Sequence, residues 1–268
     1  MYKVSPSAKG VAFLRHIEVE VSKDTLAGHF CDKEGEEMAN KWLGLCPYVG
    51  RTVAVRGRYI EDEAGMYIKE RGIEQMMNIA AGLNTFPYRH EAASHLKSYA
   101  ELDLPLMIDF KRTVINDLKD IKVIPKSPVK VDYIPIDLLS DNFHKEFKGL
   151  NWDYSLPGIY VFEGMSYYLP PPVLARILNT FSDVIAKGSV LIWDYFPDYV
   201  KKGLDPLMAT IMSAGGEVCL TYLSADAASG MLKGFKVVSD RLESDLEKVY
   251  YKDHIAKPVG SIIVAERC

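Results

Sequence analysis

Acidic side chains end, or closely follow, four short apolar runs. Asp103 closes "SYAELD", Asp137 follows "VDYIPI", Glu163 follows "GIYVF" and Asp194 interrupts "SVLIWDYF". A fifth run, "QMMNIAAGLNTFPYR", turns at Gly82 and continues through Asn84, Thr85 and Pro87. Carboxylates placed this way can accept from paired hydroxyls, attract a cation or carry a proton. Asp103 stands 21 residues after Gly82, the spacing at which an acid behind a glycine turn holds the two hydroxyls of a ribose.

The loop narrows what that ribose belongs to. A diphosphate needs close backbone approach, which the G-x-G-x-x-G spacing provides. This chain has Ala80-Ala81-Gly82-Leu83-Asn84-Thr85, so only the middle glycine is present. The acids would repel a diphosphate and attract a sulfonium and an ammonium. The expected ligand is S-adenosyl-L-methionine (SAM), with S-adenosyl-L-homocysteine as its product. A nicotinamide dinucleotide, and hence an oxidoreductase, is the disfavoured rival; a catalytically silent SAM-binding module is a second alternative.

The elements that must position these groups follow from periodicity. The first 72 residues read as helical, with Val11, Leu14, Ile17 and Val21 at steps of three and four, and a second helix from Thr52 to Arg71 stopped by Gly72. Strands are expected at 75–81, 98–103, 131–137, 158–164 and 189–196, with a proline-opened helix over 171–188. Alternating strands and helices imply a mostly parallel sheet covered on both faces. A later strand near Phe235 and the terminal "VGSIIVAERC" add an antiparallel hairpin. The expected fold class is α/β: one domain with a helical N-terminal extension (1–72) and a Rossmann-like, methyltransferase-type core (73–268).

Composition excludes several classes. The 268 residues are 48% hydrophobic and 25% charged with net charge −4, and no basic stripe or nucleic-acid-binding motif stands out. No apolar run reaches the roughly 20 residues of a membrane span, and the first residues lack a signal-peptide core. Cys31, Cys46, Cys219 and Cys268 are far apart, which suits reduced thiols in a cytoplasm rather than disulfides or a metal site. A small-molecule acceptor is the expected partner, without nucleic acid or membrane; the sequence leaves monomer and homodimer open.

"VRGRYIED", "NIAAGLNTFPYR", "YAELDLPLMIDFKRTVI", "YIPIDL" and "VFEGMSYYLPP", in that order, resemble the leucine carboxyl methyltransferase family, which includes tetracenomycin-type polyketide O-methyltransferases. The resemblance implies a class I SAM-dependent O-methyltransferase whose helical N-terminal extension (1–72) is a lid closing over the cofactor. It would place Arg56, aided by Lys9, on the methionine carboxylate, Gly82 along the methionyl and ribose region, and Asp103 on the ribose. Asp137 and Leu138 would flank the adenine, and Glu163 would sit near the amino end. The family usually has Gly-Ala-Gly-x-Asp-Thr in the loop; Ala80 adds a methyl group and Asn84 removes an acid.

An acceptor pocket is expected among Tyr167, Tyr168, Tyr195, Phe196, Tyr199, Met208 and Met212, whose aromatic and thioether groups suit a flat apolar molecule. None of the six histidines has a motif that marks it as a base; His16, on the lid helix, is the nearest candidate. A phenol must lose a proton, whereas a carboxylate is already ionised. That absence tips the expectation towards a carboxylate acceptor. Glu101 should matter less to the ligand than Asp103, one step nearer the crevice along the same strand face.

Overall fold

The structure is a computed structural model that describes residues 4–124, 126–199, 213, 216–253 and 260–268. Seven strands form one sheet: β1 Gln75–Ile79, β2 Ser98–Asp103, β3 Val131–Pro135, β4 Ile159–Phe162, β5 Val190–Tyr195, β6 Phe235–Leu242 and β7 Ser261–Arg267. Their order is β3-β2-β1-β4-β5-β7-β6. β1 to β5 are parallel; β7 runs antiparallel to both β5 and β6. The order reverses between β1 and β4, which opens a crevice beyond their carboxyl ends.

Six helices of eight or more residues lie among the described residues: α1 Pro6–Ile17, α2 Lys33–Leu45, α3 Val49–Arg71, α4 Pro105–Asp120, α5 Pro171–Val184 and α6 Glu243–Tyr250. Every residue of β1, β4 and β5 is buried, as strands covered on both faces require. Met77, Leu102, Phe162, Leu191 and Trp193 pack with Leu174, Ile177 and Phe181 of α5. The alternate residues Met76, Tyr99, Ile159, Val161 and Ile192 pack with Tyr59, Ile60, Ala64 and Ile68 of α3. Period-two alternation therefore turns Glu101, Asp103, Glu163 and Asp194 towards the α3 face. The N-terminal helices thus meet the acids at the strand ends.

Several boundaries differ from the sequence expectation for local reasons. β1 ends at Ile79 because Ala80 takes a left-handed conformation, φ 54°. β3 stops at Pro135, so Asp137 lies beyond it. β4 stops at Phe162, which leaves Glu163 in a turn with Gly164 at φ 73°. α5 ends four residues early, where Ile185 takes an extended conformation (φ −81°, ψ 148°), and the Gly188 N–H then donates to the Arg267 carbonyl at 2.8 Å. α3 begins three residues early and stops as expected, with Gly72 left-handed at φ 67°. Ile17, expected inward, is 45% exposed where α1 ends. β6 and β7 pair as antiparallel neighbours, but α6 lies between them in sequence, so they are not a tight hairpin.

Candidate functional site

Two left-handed residues, Ala80 and Gly82 (φ 54° and 50°), shape the turn after β1. The Gly82 N–H donates to Asp103 Oδ2 at 2.7 Å, and the Leu104 N–H donates to Oδ1 at 2.7 Å. One carboxylate thereby fixes the turn after β1 to the end of β2. Each oxygen keeps a further lone pair for a ligand hydroxyl. A Cβ added at Gly82 would meet no atom within 4 Å, so the turn borders open space. Burial raises the Asp103 pKa, while the Gly82 and Leu104 N–H groups oppose that rise.

Across the crevice, Glu163 is the meeting point of two helices. Arg15 Nη2 of α1 donates to Glu163 Oε1 and Oε2 at 2.9 and 3.1 Å, and Arg56 Nε of α3 donates to Oε1 at 3.0 Å. Burial would raise the Glu163 pKa, but the two guanidinium groups outweigh it and hold it below the ordinary value. Arg56 Nη1 also reaches the Tyr167 hydroxyl at 3.4 Å and lies 3.6 Å from Asp194 Oδ2. Asp194 Oδ1 accepts from the Gly164 N–H at 2.7 Å. Burial pushes the Asp194 pKa up to about 6, against the pull of Arg56.

A second buried network ties the N-terminal region to the loop after β1. Arg89 Nε lies 3.1 Å from Asp24 Oδ1, and its Nη2 donates to Glu61 Oε1. Asn84 Nδ2 donates to Glu61 Oε1 at 3.2 Å, and Asn84 Oδ1 accepts from the Phe86 N–H at 2.8 Å. Asn84 is 5% exposed. Its amide thus bridges Glu61 and the backbone of the loop after β1.

The other expected residues separate into groups. Leu138 is buried and Asp137 exposed, with Asp137 Oδ1 accepting from the Leu139 N–H at 2.9 Å. The Ile136 N–H donates to the Asp103 carbonyl at 2.8 Å, which holds this segment beside the end of β2. Lys9 pairs with Asp32 and lies 5.3 Å from the Phe110 ring centroid. Tyr167 stacks on Phe196, centroids 3.9 Å apart, and both pack against Leu14, Met38 and Trp42 of the N-terminal helices. Tyr168 donates to Glu217 Oε2 at 2.6 Å.

Tyr195 does not join that aromatic group. Alternation along β5 turns it to the α5 face, where its hydroxyl donates to Asp240 Oδ2 at 2.8 Å. Tyr199 is 45% exposed. Met208 and Met212 lie outside the described residues. His16 is exposed on α1, while Arg15 beside it turns inward. Glu101 does not face the crevice: it is fully buried and forms a 2.6 Å ion pair with Lys111 of α4.

Sequence reasoning missed Arg15, Asp24, Glu61, Arg89, Lys111 and Glu243. Arg15 carried a readable signal, since it adjoins Leu14 on the inward stripe of α1. Arg89 closes the stretch "NTFPYR" that was singled out for its turn.

The sequence pattern of leucine carboxyl methyltransferases matches residues 7–182. The chain belongs to that family. A Mycobacterium marinum relative named "Putative S-adenosyl-L-methionine-dependent methyltransferase" is 32% identical over 150 residues, 56% of this chain and 47% of the relative. The chain spans about half the length of such relatives. Among solved structures, a DUF574 family protein from Streptomyces avermitilis aligns with TM-score 0.69 at 14% identity, covering 93% of this chain and 97% of that one. Magnesium protoporphyrin IX methyltransferase from Synechocystis, solved with bound S-adenosylhomocysteine, aligns with TM-score 0.55 at 12% identity, covering 88% and 95%. These likenesses show a shared class I methyltransferase fold. No described helix is long and apolar enough to cross a membrane.

Proposed function

We propose that this protein is a SAM-dependent methyltransferase that methylates an oxygen of a small, aromatic or polyketide-like molecule. The observation that carries this reading is Asp103, anchored by the Gly82 and Leu104 N–H groups at 2.7 Å each, beside a turn open to a ligand. In this reading Asp103 accepts from the ribose hydroxyls, and Leu138 with Asp137 borders the adenine. Glu163 faces the ammonium. Arg56, which holds Glu163 and lies near Gly164, would meet the methionine carboxylate. The bound cofactor supplies an electrophilic methyl group on a sulfonium.

The chain's contribution is alignment and exclusion of water. Holding two reactants in line contributes about 7–11 kcal/mol as effective molarity. The stacked Tyr167 and Phe196, clustered with Trp42 and Met38, would offer an apolar surface to a flat ring.

S-adenosylhomocysteine should raise the melting temperature and NAD should not. A ligand at a hundredfold excess over its dissociation constant stabilises the folded state by about 2.7 kcal/mol. No thermal shift and no calorimetric heat at saturating S-adenosylhomocysteine would remove the cofactor assignment. Asp103→Ala should weaken that ligand roughly 10- to 150-fold in calorimetry, since charge-assisted hydrogen bonds contribute about 1.5–3 kcal/mol. An unchanged affinity would mean that the ribose lies elsewhere. A silent binding module is the second reading, favoured by Ala80 in a left-handed conformation where the family usually has glycine. Methyl release over a panel of phenols and carboxylic acids separates the two.

A further inference from the structure

Glu243 opens α6 directly after β6, at the same end of the sheet as Glu163 and Asp194. The pairing Leu242↔Ser261 and Tyr195↔Ser261 sets the end of β6 on the same side of the sheet as the end of β5, with the start of β7 between them. Its residue is 2% exposed. Glu243 Oε2 accepts from the Gly260 N–H at 2.8 Å. Glu243 Oε1 is buried and has no hydrogen-bond partner among the described residues. A Cβ at Gly260 would come within 2.9 Å of the carboxyl, so glycine there allows the group to lie against the backbone.

We propose that Glu243 is the proton acceptor for a hydroxyl-bearing methyl acceptor, held by Gly260 with Oε1 left to meet the hydroxyl. This rests on the methyltransferase reading above and narrows its acceptor class to a phenol-like hydroxyl. The acceptor oxygen bonds to the methyl group as the methyl–sulfur bond breaks, with that electron pair remaining on sulfur to give a thioether. The hydroxyl proton passes to Glu243 Oε1, and the resulting neutral acid later returns it to water. The preference for a carboxylate acceptor rested on the lack of a histidine base, and a buried carboxyl meets that need.

The surrounding charges suit the role. Arg56 of α3 faces the group, as do Asp194 of β5, Glu163 and Tyr167 after β4, and Tyr199 after β5. Burial pushes the Glu243 pKa up to about 8; Arg56 opposes this, and Asp194 and Glu163 add to it. Glu163, with two guanidinium partners, remains ionised at neutral pH. Neighbouring acids driven apart in this way divide electrostatic and proton-transfer roles. A base that titrates near the working pH combines a usable ionised fraction with proton affinity.

The test has a ligand-free arm and a turnover arm. In the unfolded chain Glu243 ionises near its ordinary value, so between about pH 4.5 and 8 the folded state binds the extra proton and wild type loses stability as pH rises. Glu243→Gln cannot ionise. Its melting temperature relative to wild type should climb from pH 5 to 8 and level above 8. With a panel of substituted phenols and aryl carboxylic acids and labelled SAM, Glu243→Gln should lower phenol methylation about 10²- to 10⁴-fold. Wild-type kcat/KM for a phenol should rise tenfold per pH unit below about 8 and then flatten, and Glu243→Asp should retain that rising limb. A flat stability difference overturns the assignment, as does full phenol turnover in Glu243→Gln or turnover confined to carboxylic acids. If wild type does not bind S-adenosylhomocysteine, the methyltransferase reading itself has failed.

Discussion

Arg89→Met should destabilise the protein by about 3–5 kcal/mol in urea denaturation at pH 7, the usual cost of leaving buried charges without their partner. Arg89 is the cation shared by Asp24 and Glu61, which are 0% and 4% exposed. Asn84, Thr85 and the Leu26 N–H would still donate to the two carboxylates but carry no charge, and Arg15 Nη1, 4.0 Å from Asp24 Oδ2, is the one cation left beside them among the described residues. Burial already raises the Glu61 pKa against the pull of Arg89, so its loss raises it further. The folded variant then binds more protons than the unfolded chain does at neutral pH. Lowering the pH from 7 towards 4 should therefore narrow the gap to wild type. A loss below about 1 kcal/mol, unaffected by pH, would show that the network contributes no net stability.

This network also explains where the sequence stopped being readable. The strand ends were legible because an apolar run followed by an acid or glycine is a local pattern. Asp103, Glu163 and Gly82 could be placed from it, and α3 could be ended at Gly72. What could not be placed were groups whose meaning depends on contacts across the chain. Asp24 lies in an undistinguished loop until Arg89, 65 residues later, closes on it. Glu243 opens a short helix that follows an edge strand, and nothing in "RLESDLEKV" separates it from ordinary charged residues. Tyr195 shows the same limit within one strand. Its type suited an acceptor pocket, but the phase of β5 gives the crevice face to Asp194 and the core face to Tyr195.

Lys111→Met gives the complementary result, because it separates an acid that maintains the fold from its neighbour at the site. Lys111 Nζ and Glu101 Oε2 are 2.6 Å apart, with side chains 1% and 0% exposed. Removing the ammonium leaves Glu101 in a site where burial already raises its pKa and Lys111 is the leading opposing charge. The single substitution should cost about 3–5 kcal/mol, whereas Lys111→Met with Glu101→Leu should recover most of it, since replacing both partners by apolar groups is often neutral. Asp103 predicts the opposite division. It lies two residues along β2, and its substitution should weaken the ligand more than the fold. Urea denaturation and S-adenosylhomocysteine calorimetry on all three variants test this directly. A Lys111→Met protein of wild-type stability would show that Glu101 is neutral without its partner. If the folded double variant bound the ligand as weakly as Asp103→Ala, Glu101 would belong to the crevice after all, and the division between the two acids of β2 would be wrong.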